Sequence, residues 1–100
     1  MTVIQFQWDE RKHAENKRKH GVGFEEAQTV FHDNRALLID DPDHSDGEDR
    51  FILLGLSFSL RTLVVCHCYR ENDQVIRIIS ARKANPVERA EYNHRWKDER

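Results

Sequence analysis

The sequence predicts an α+β fold, with a mostly antiparallel sheet, two helices near the N-terminus and one near the C-terminus. Three observations lead to this prediction. Four apolar runs of strand length occupy the middle of the chain, short connections join the last of them, and capping residues mark helices on either side. With 100 residues, the chain has the length of one domain, and we expect a single domain over residues 1–100.

The first third of the chain is predicted to form one strand and two helices. Apolar residues alternate over 3–8, which indicates a short strand. Asp9 can cap a helix that runs to about residue 20, and Gly21 can end it. Apolar residues at positions 24, 27 and 31 share one helix face, which predicts a second helix over about 24–31.

The remainder is predicted to form four strands and a last helix. The strands are expected at 36–39, 50–57, 62–70 and 75–82. Asn85 and Glu88 have the spacing of a capping box, and Pro86 suits a first helical position, so a helix should begin there and run to about residue 96. The predicted order is β-α-α-β-β-β-β-α, with the helices on one side of the sheet.

The charges are segregated along the chain, although the formal net charge is only −2. Residues 21–60 hold nine acidic and two basic residues, and the other sixty hold fourteen basic and nine acidic ones. If the two basic flanks meet, they form a surface that attracts phosphates. The alternative is that the charges only solvate helix faces.

Neither a membrane span, nor a secretory signal, nor a metal site is predicted from the sequence. No apolar run approaches the ~20 residues of a membrane helix, so we expect a cytoplasmic protein. Cys66 and Cys68 point to the same side of a predicted strand and suit buried, reduced thiols. The acidic loop over 40–49 is not a calcium loop, since Asp46 and Ile52 occupy the positions that require Gly and Glu.

Polar residues interrupt the predicted strands, and they suit chemistry on a phosphodiester. Arginine binds phosphate through two parallel hydrogen bonds, and histidine transfers protons near neutral pH. Cleavage of RNA by its own 2′-hydroxyl needs a base, a cation for the phosphorane and an acid, and no cofactor or metal. His67 could instead be a hydrogen-bonded core residue, Arg77 could face solvent, and Tyr92 could pack its ring on the sheet.

The register of the last hairpin is left open by the sequence. A turn of two or four residues pairs Arg70 with Val75. That register places His67, Tyr69, Ser80 and Arg82 on one face and Arg77 on the other. A turn of three residues reverses this relation.

Motifs over residues 6–92 closely resemble the BrnT family of type II toxins. The N-terminal part contributes Phe6-Gln-Trp8-Asp9, Lys12, Asn16, Lys19-His20-Gly21 and Phe24-Glu-Glu-Ala27. The later part contributes Asp43-His44-Ser45, Arg50-Phe51-Ile52, Val64-Val65-Cys66-His67, Ile76-Arg77-Ile78-Ile79-Ser80-Ala81-Arg82-Lys83-Ala84, Glu88-Arg89 and Tyr92. The resemblance implies a RelE-like fold and an endoribonuclease that arrests translation by cutting RNA. It also implies a BrnA-like ribbon-helix-helix antitoxin and contact with operator DNA through the antitoxin complex.

The resemblance also suggests where the site lies. The predicted catalytic residues are Arg50, His67, Arg82 and Tyr92, with His67 as proton shuttle and the arginines on the phosphate. The predicted RNA-binding residues are Lys12, Lys19, Arg77, Lys83 and Arg89. The alternative function is that of a non-enzymatic protein that binds an antitoxin or DNA.

Overall fold

The computed structural model describes residues 4–40 and 49–98 and shows a five-stranded sheet with helices on both faces. The helices are α1 (Glu10–His20), α2 (Phe24–Thr29), which continues as a 3₁₀ turn (Val30–His32), and α3 (Pro86–Asp98). The strands are β1 (Gln5–Gln7), β2 (Leu37–Asp40), β3 (Phe51–Leu56), β4 (Thr62–Arg70) and β5 (Val75–Lys83). Their spatial order is β1-β5-β4-β3-β2. Since β1 pairs with β5 in parallel and the other neighbours are antiparallel, the predicted fold class and element order are confirmed.

The predicted helix caps are present. The Asp9 carboxylate accepts hydrogen bonds from the amides of Arg11 and Lys12, at 2.8 and 3.2 Å. Gly21 ends α1 with a φ of 71°, a left-handed conformation that glycine adopts without steric cost. At the start of α3, the Asn85 and Glu88 side chains each bond the other's backbone amide at 2.8 Å. These caps fix the helix ends that border the site described below.

The two faces of the sheet carry different helices. Leu53 packs with the apolar side chains of α2, and we call this side of the sheet the α2 face. Leu54, the next residue along β3, packs with Val64 and with Tyr92 of α3, and we call that side the α3 face. The expectation that all helices lie on one side is therefore wrong for α3. Adjacent strand residues point to opposite faces, and both faces of β3 are apolar, so each requires a cover.

The β4–β5 turn spans four residues, one of the lengths that the sequence left open, and it pairs Arg70 with Val75. Glu71, Asn72 and Asp73 have φ angles of 52°, 58° and 67°. Asn and Asp adopt this left-handed region more readily than most residues. The turn residues thus set the register at this end of the hairpin.

A β-bulge changes that register farther along the hairpin. His67 pairs with Ile78, but the preceding residue, Cys66, pairs with Ser80, which leaves Ile79 as an extra residue in β5. The side chains beyond the bulge therefore face the opposite way from those in an unbroken ladder. As a result, Arg82 shares the α3 face with Arg77.

The bulge divides the predicted site residues between the two faces in a way that neither register of an unbroken hairpin would produce. His67 and Tyr69 lie on the α2 face, whereas Ser80 and Arg82 lie on the α3 face. Cys66 and Cys68 share the α3 face, as the strand alternation predicts, and neither forms a disulfide. Residues 41–48, within which most of the rejected calcium loop falls, lie outside the described residues.

Candidate active site

A groove on the α3 face brings together residues from four elements. One part, of about 240 Å³, is lined by Arg50, by Ile52 of β3, by Val64 and Cys66 of β4, by residues 79–82 of β5 and by His20 of α1. A second part, of about 200 Å³, shares His20, Ile79 and Ser80 with the first and extends along α1 past Lys12, Glu15 and Lys19. Among the residues predicted for the site, the structure thus brings together Arg50, Arg82, Lys12 and Lys19.

Arg82 is held at the groove by α3. Its Nη1 and Nη2 groups donate to Oε1 and Oε2 of Glu88, both at 2.8 Å, and Nη1 also donates to the Lys83 carbonyl at 3.3 Å. The hydrogen bond from Arg82 is the largest influence on Glu88 and holds the pKa of that carboxyl below its ordinary value. Glu88 also completes the α3 capping box, so the start of α3 fixes the orientation of the guanidinium.

The pairing with Glu88 leaves one edge of the guanidinium available. Arginine has five N–H donors, and this pair occupies the edge formed by Nη1 and Nη2. The edge formed by Nε–H and the outer Nη2–H makes no hydrogen bond within the described part of the chain. Two parallel donors on a planar edge match the geometry of two phosphate oxygens. Arg82 can therefore bind Glu88 and a phosphate at the same time.

α1 reaches the groove because Asn16 attaches it to the sheet. β1 pairs with β5 only over Val75–Arg77, so the later backbone of β5 needs another partner on that side. Asn16 Nδ2 donates to the Ala81 carbonyl at 2.7 Å, and Asn16 Oδ1 accepts from the Ala81 amide at 3.1 Å. Nδ2 also donates to the Val22 carbonyl at 2.8 Å. The buried amide thus substitutes for a neighbouring strand and sets the distance between α1 and Arg82.

His20 is the groove residue that the sequence reading did not select. It is exposed, it is the last residue of α1, and it lines both parts of the groove. An imidazole there can accept or donate a proton beside the arginines. The sequence feature that could have indicated His20 is the Lys19-His20-Gly21 motif, which contributed only to the family resemblance. The motif lies about 60 residues from Arg82 in sequence, and the attachment of α1 to β5 through Asn16 helps to bring the two together.

His67, the predicted proton shuttle, lies in the core on the α2 face, where its exposed fraction is 0%. Its ring packs edge-on against Phe31 and Tyr69, with centroids 4.8 and 5.2 Å away. Nδ1 bonds the Val65 carbonyl and Nε2 bonds the Tyr69 hydroxyl, both at 3.2 Å. A neutral ring satisfies both, with Nδ1–H as donor and Nε2 as acceptor. Burial lowers the pKa of His67, and the Val65 hydrogen bond opposes that shift in part.

The lowered pKa of His67 predicts a loss of stability in mild acid. In the unfolded chain His67 takes up a proton near its ordinary pKa of about 6.5, whereas the buried ring takes it up only at lower pH. The contribution of neutral His67 to the free energy of unfolding is therefore fully present above about pH 6.5. It falls as the pH drops towards the folded pKa, with a slope of at most about 1.4 kcal/mol per pH unit. We expect urea unfolding between pH 7 and 5 to show this fall, and His67→Gln to reduce its slope. Equal slopes in the two proteins would contradict the prediction.

Tyr92, the fourth predicted catalytic residue, anchors α3. It is 5% exposed, packs with Leu54 and Val64, and its hydroxyl donates to Asp33 Oδ2 at 2.5 Å. Burial and this hydrogen bond raise the pKa of the Tyr92 hydroxyl. Burial opposes ionisation of Asp33, but hydrogen bonds from the Leu56 amide, Tyr92 and the Arg35 amide outweigh it and lower the Asp33 pKa.

The other predicted RNA-binding cations lie outside the groove lining. Arg77 is on the α3 face, but its Nη1 donates to Gln7 Oε1 at 3.2 Å. Lys83 pairs with Leu63 and therefore points to the α2 face. Arg89 Nη1 donates to the Ala84 carbonyl at 2.9 Å. The groove is thus lined by fewer cationic side chains than were predicted from the sequence.

Within residues 4–40 and 49–98, no three His, Cys, Asp or Glu side chains are grouped as metal ligands, and no helix has the length and apolar character to cross a bilayer.

A 1.1 Å crystal structure of the Brucella abortus ribonuclease toxin BrnT has the same fold, with a TM-score of 0.63 and 24% identity. The alignment covers 83% of this chain and 99% of that one. Comparison with curated protein sequences finds no significant match.

The family model that matches describes the ribonuclease toxin BrnT of type II toxin–antitoxin systems, and it matches residues 8–88. That range contains most of the chain, including every residue of the groove. It also contains Asn16 and Glu88, which position the groove residues. The chain therefore belongs to the BrnT family of ribonuclease toxins of type II toxin–antitoxin systems.

Proposed function

We propose that this chain is a metal-independent endoribonuclease that cleaves RNA through the RNA's own 2′-hydroxyl and thereby arrests translation. The observation that carries the proposal is the groove in which Arg50, Arg82 and His20 converge. The groove combines cations with an exposed imidazole, which are the groups that this reaction needs. Lys12 and Lys19 line the α1 part of the groove with Glu15, and the two lysines supply further positive charge for the RNA phosphates.

The proposed reaction assigns a role to each group. A base removes the proton of the 2′-hydroxyl, and the resulting oxygen attacks the adjacent phosphorus. The free edge of Arg82, together with Arg50, stabilises the charge on the phosphorane. The bond from phosphorus to the 5′-oxygen then breaks, and an acid protonates that oxygen. We assign proton transfer to His20, because its imidazole lines both parts of the groove.

His67 and Tyr92 receive positioning roles in this proposal, in place of the catalytic roles predicted from the sequence. Both side chains are buried, and each hydrogen-bonds a partner inside the protein. His67, a residue of β4, packs in the core against Phe31. Tyr92 holds α3 against the sheet, and the first turn of α3 presents Glu88 to Arg82. Neither needs to touch RNA in order to affect the groove.

We also propose that a BrnA-like ribbon-helix-helix antitoxin neutralises the protein in the cytoplasm and that the resulting complex binds operator DNA. Membership of a type II toxin–antitoxin family supports an antitoxin partner. The antitoxin class and the contact with DNA follow from the sequence resemblance.

The purified chain should cut RNA in the presence of a chelator and leave 2′,3′-cyclic phosphate and 5′-hydroxyl ends. These ends follow from attack by the 2′-hydroxyl, and they differ from the ends that attack by water produces. Mass spectrometry of a short defined RNA distinguishes them. Intact RNA after incubation with the folded protein would contradict the proposal and favour a non-enzymatic binding role.

A further inference from the structure

The outer strand β2 leaves one edge of the sheet uncovered in the described structure. β2 (Leu37–Asp40) pairs with β3 on one side, and no described strand lies on the other. Two of its apolar side chains are exposed, Leu38 by 54% and Ile39 by 46%. Proline, lysine and bulges protect many natural edge strands, and Leu37–Asp40 contains none of these; its one charged residue is Asp40, at its end. Its backbone can therefore accept a further strand.

Cavities lined by apolar and charged side chains flank this strand on both faces of the sheet. On the α2 face, Leu38 lines a cavity of about 540 Å³ with Phe51 and Tyr69. On the α3 face, Leu37 and Ile39 line a cavity of about 340 Å³ with Glu91, His94 and Arg95 of α3. Alternate side chains of an added strand would point towards one cavity and then the other. This combination of backbone edge and alternating cavities is the geometry of strand addition.

The charge on the α2 face of this edge favours a basic occupant. The described lining of the α2-face cavity includes Asp49 and Asp73 and no basic residue, and Asp40 ends β2. RNA would be repelled here, and a second copy paired through β2 would bring the same acids together. A positively charged polypeptide would instead be attracted to these acidic side chains.

We propose that β2 is a strand-addition site for an extended, basic segment of a partner protein, with apolar side chains that enter the two cavities. The partner's backbone would pair with Leu37–Asp40, and its lysine or arginine side chains would face Asp49 and Asp73. The proposal uses none of the groove residues, so it does not depend on RNA cleavage.

The test uses a capped peptide of repeated Lys-Val-Leu units, which places lysine and aliphatic side chains on both faces of a strand. We expect it to bind the full chain and to shift the backbone amide NMR signals of β2. Leu38→Lys should weaken binding at least tenfold, because it removes an apolar contact and adds a like charge. Val87→Lys, the same kind of change at a residue that is 75% exposed on α3, should leave binding unchanged.

Backbone methylation of the peptide distinguishes strand pairing from general attraction. Successive amides of a strand point to opposite edges, so methylating every second residue leaves one edge intact and should preserve binding, whereas methylating every residue blocks both edges and should abolish it. The proposal is overturned if the peptide does not bind, if the fully methylated peptide binds as well as the unmethylated one, or if a Glu-Val-Leu counterpart binds equally well. It is also overturned if the free protein dimerises and Leu38→Lys disrupts that dimer.

Discussion

Arg82→Ala should lower the rate of RNA cleavage by about 10²–10³-fold, the usual loss when one preorganised transition-state donor is removed. The available edge of Arg82 is oriented by Glu88 before any ligand binds, so alanine removes both the charge and its geometry. The fold should survive, because a pair in which the Arg82 side chain is 44% exposed stabilises a protein by only about 0–1 kcal/mol. Single-turnover cleavage of a short RNA measures the rate, and urea unfolding checks the fold.

Arg82→Lys separates charge from geometry in the same experiment. Lysine retains the positive charge but has no planar edge, so it cannot hold both Glu88 and two phosphate oxygens. We expect a rate between those of the wild type and Arg82→Ala. Arg11→Ala removes an exposed arginine that does not line the groove and should cut RNA at the wild-type rate. A folded Arg82→Ala protein with wild-type activity would contradict the assignment.

The elements of the fold could be predicted because their signals are local. Asp9 and Gly21 bound α1, and Asn85 and Glu88 begin α3, through hydrogen bonds between residues close in sequence. The face on which α3 packs is not a local property. It depends on Leu54 and Val64, which form an apolar surface only after β3 and β4 have paired.

The candidate site was harder to predict, because it depends on one extra residue in β5. An unbroken ladder with the observed turn would have placed His67 and Arg82 on the same face, as the sequence allowed. The bulge at Ile79 separates them and instead exposes Arg82 to a groove with His20. Ile79 is ordinary in a strand, so its type gives no sign of the bulge. His67 was selected for its residue type and motif, whereas its burial is visible only in three dimensions.

Asn16→Asp should destabilise the protein at neutral pH by about 3 kcal/mol or more, although it changes the shape of the side chain very little. The carboxylate cannot donate, so the Val22 and Ala81 carbonyls each lose a buried partner, at about 1–3 kcal/mol apiece. Both carbonyl oxygens would also face a negative charge. RNA cleavage should fall in the fraction that still folds, because Asn16 holds α1 and His20 at the groove.

The dependence of this loss on pH distinguishes a buried charge from a general packing defect. Burial next to two carbonyls raises the pKa of the introduced carboxyl above its unfolded value, so its protonated form is favoured in the folded protein. Such a group contributes its stability fully below the unfolded pKa of about 4 and loses it as pH rises through the folded value. The difference in unfolding free energy from wild type should therefore shrink as pH is lowered from 7 towards 4. Asn93→Asp, the same change at an exposed position of α3, should alter stability by no more than about 0.5 kcal/mol at either pH. A pH-independent loss in Asn16→Asp would contradict the burial of a charge beside the Ala81 and Val22 carbonyls.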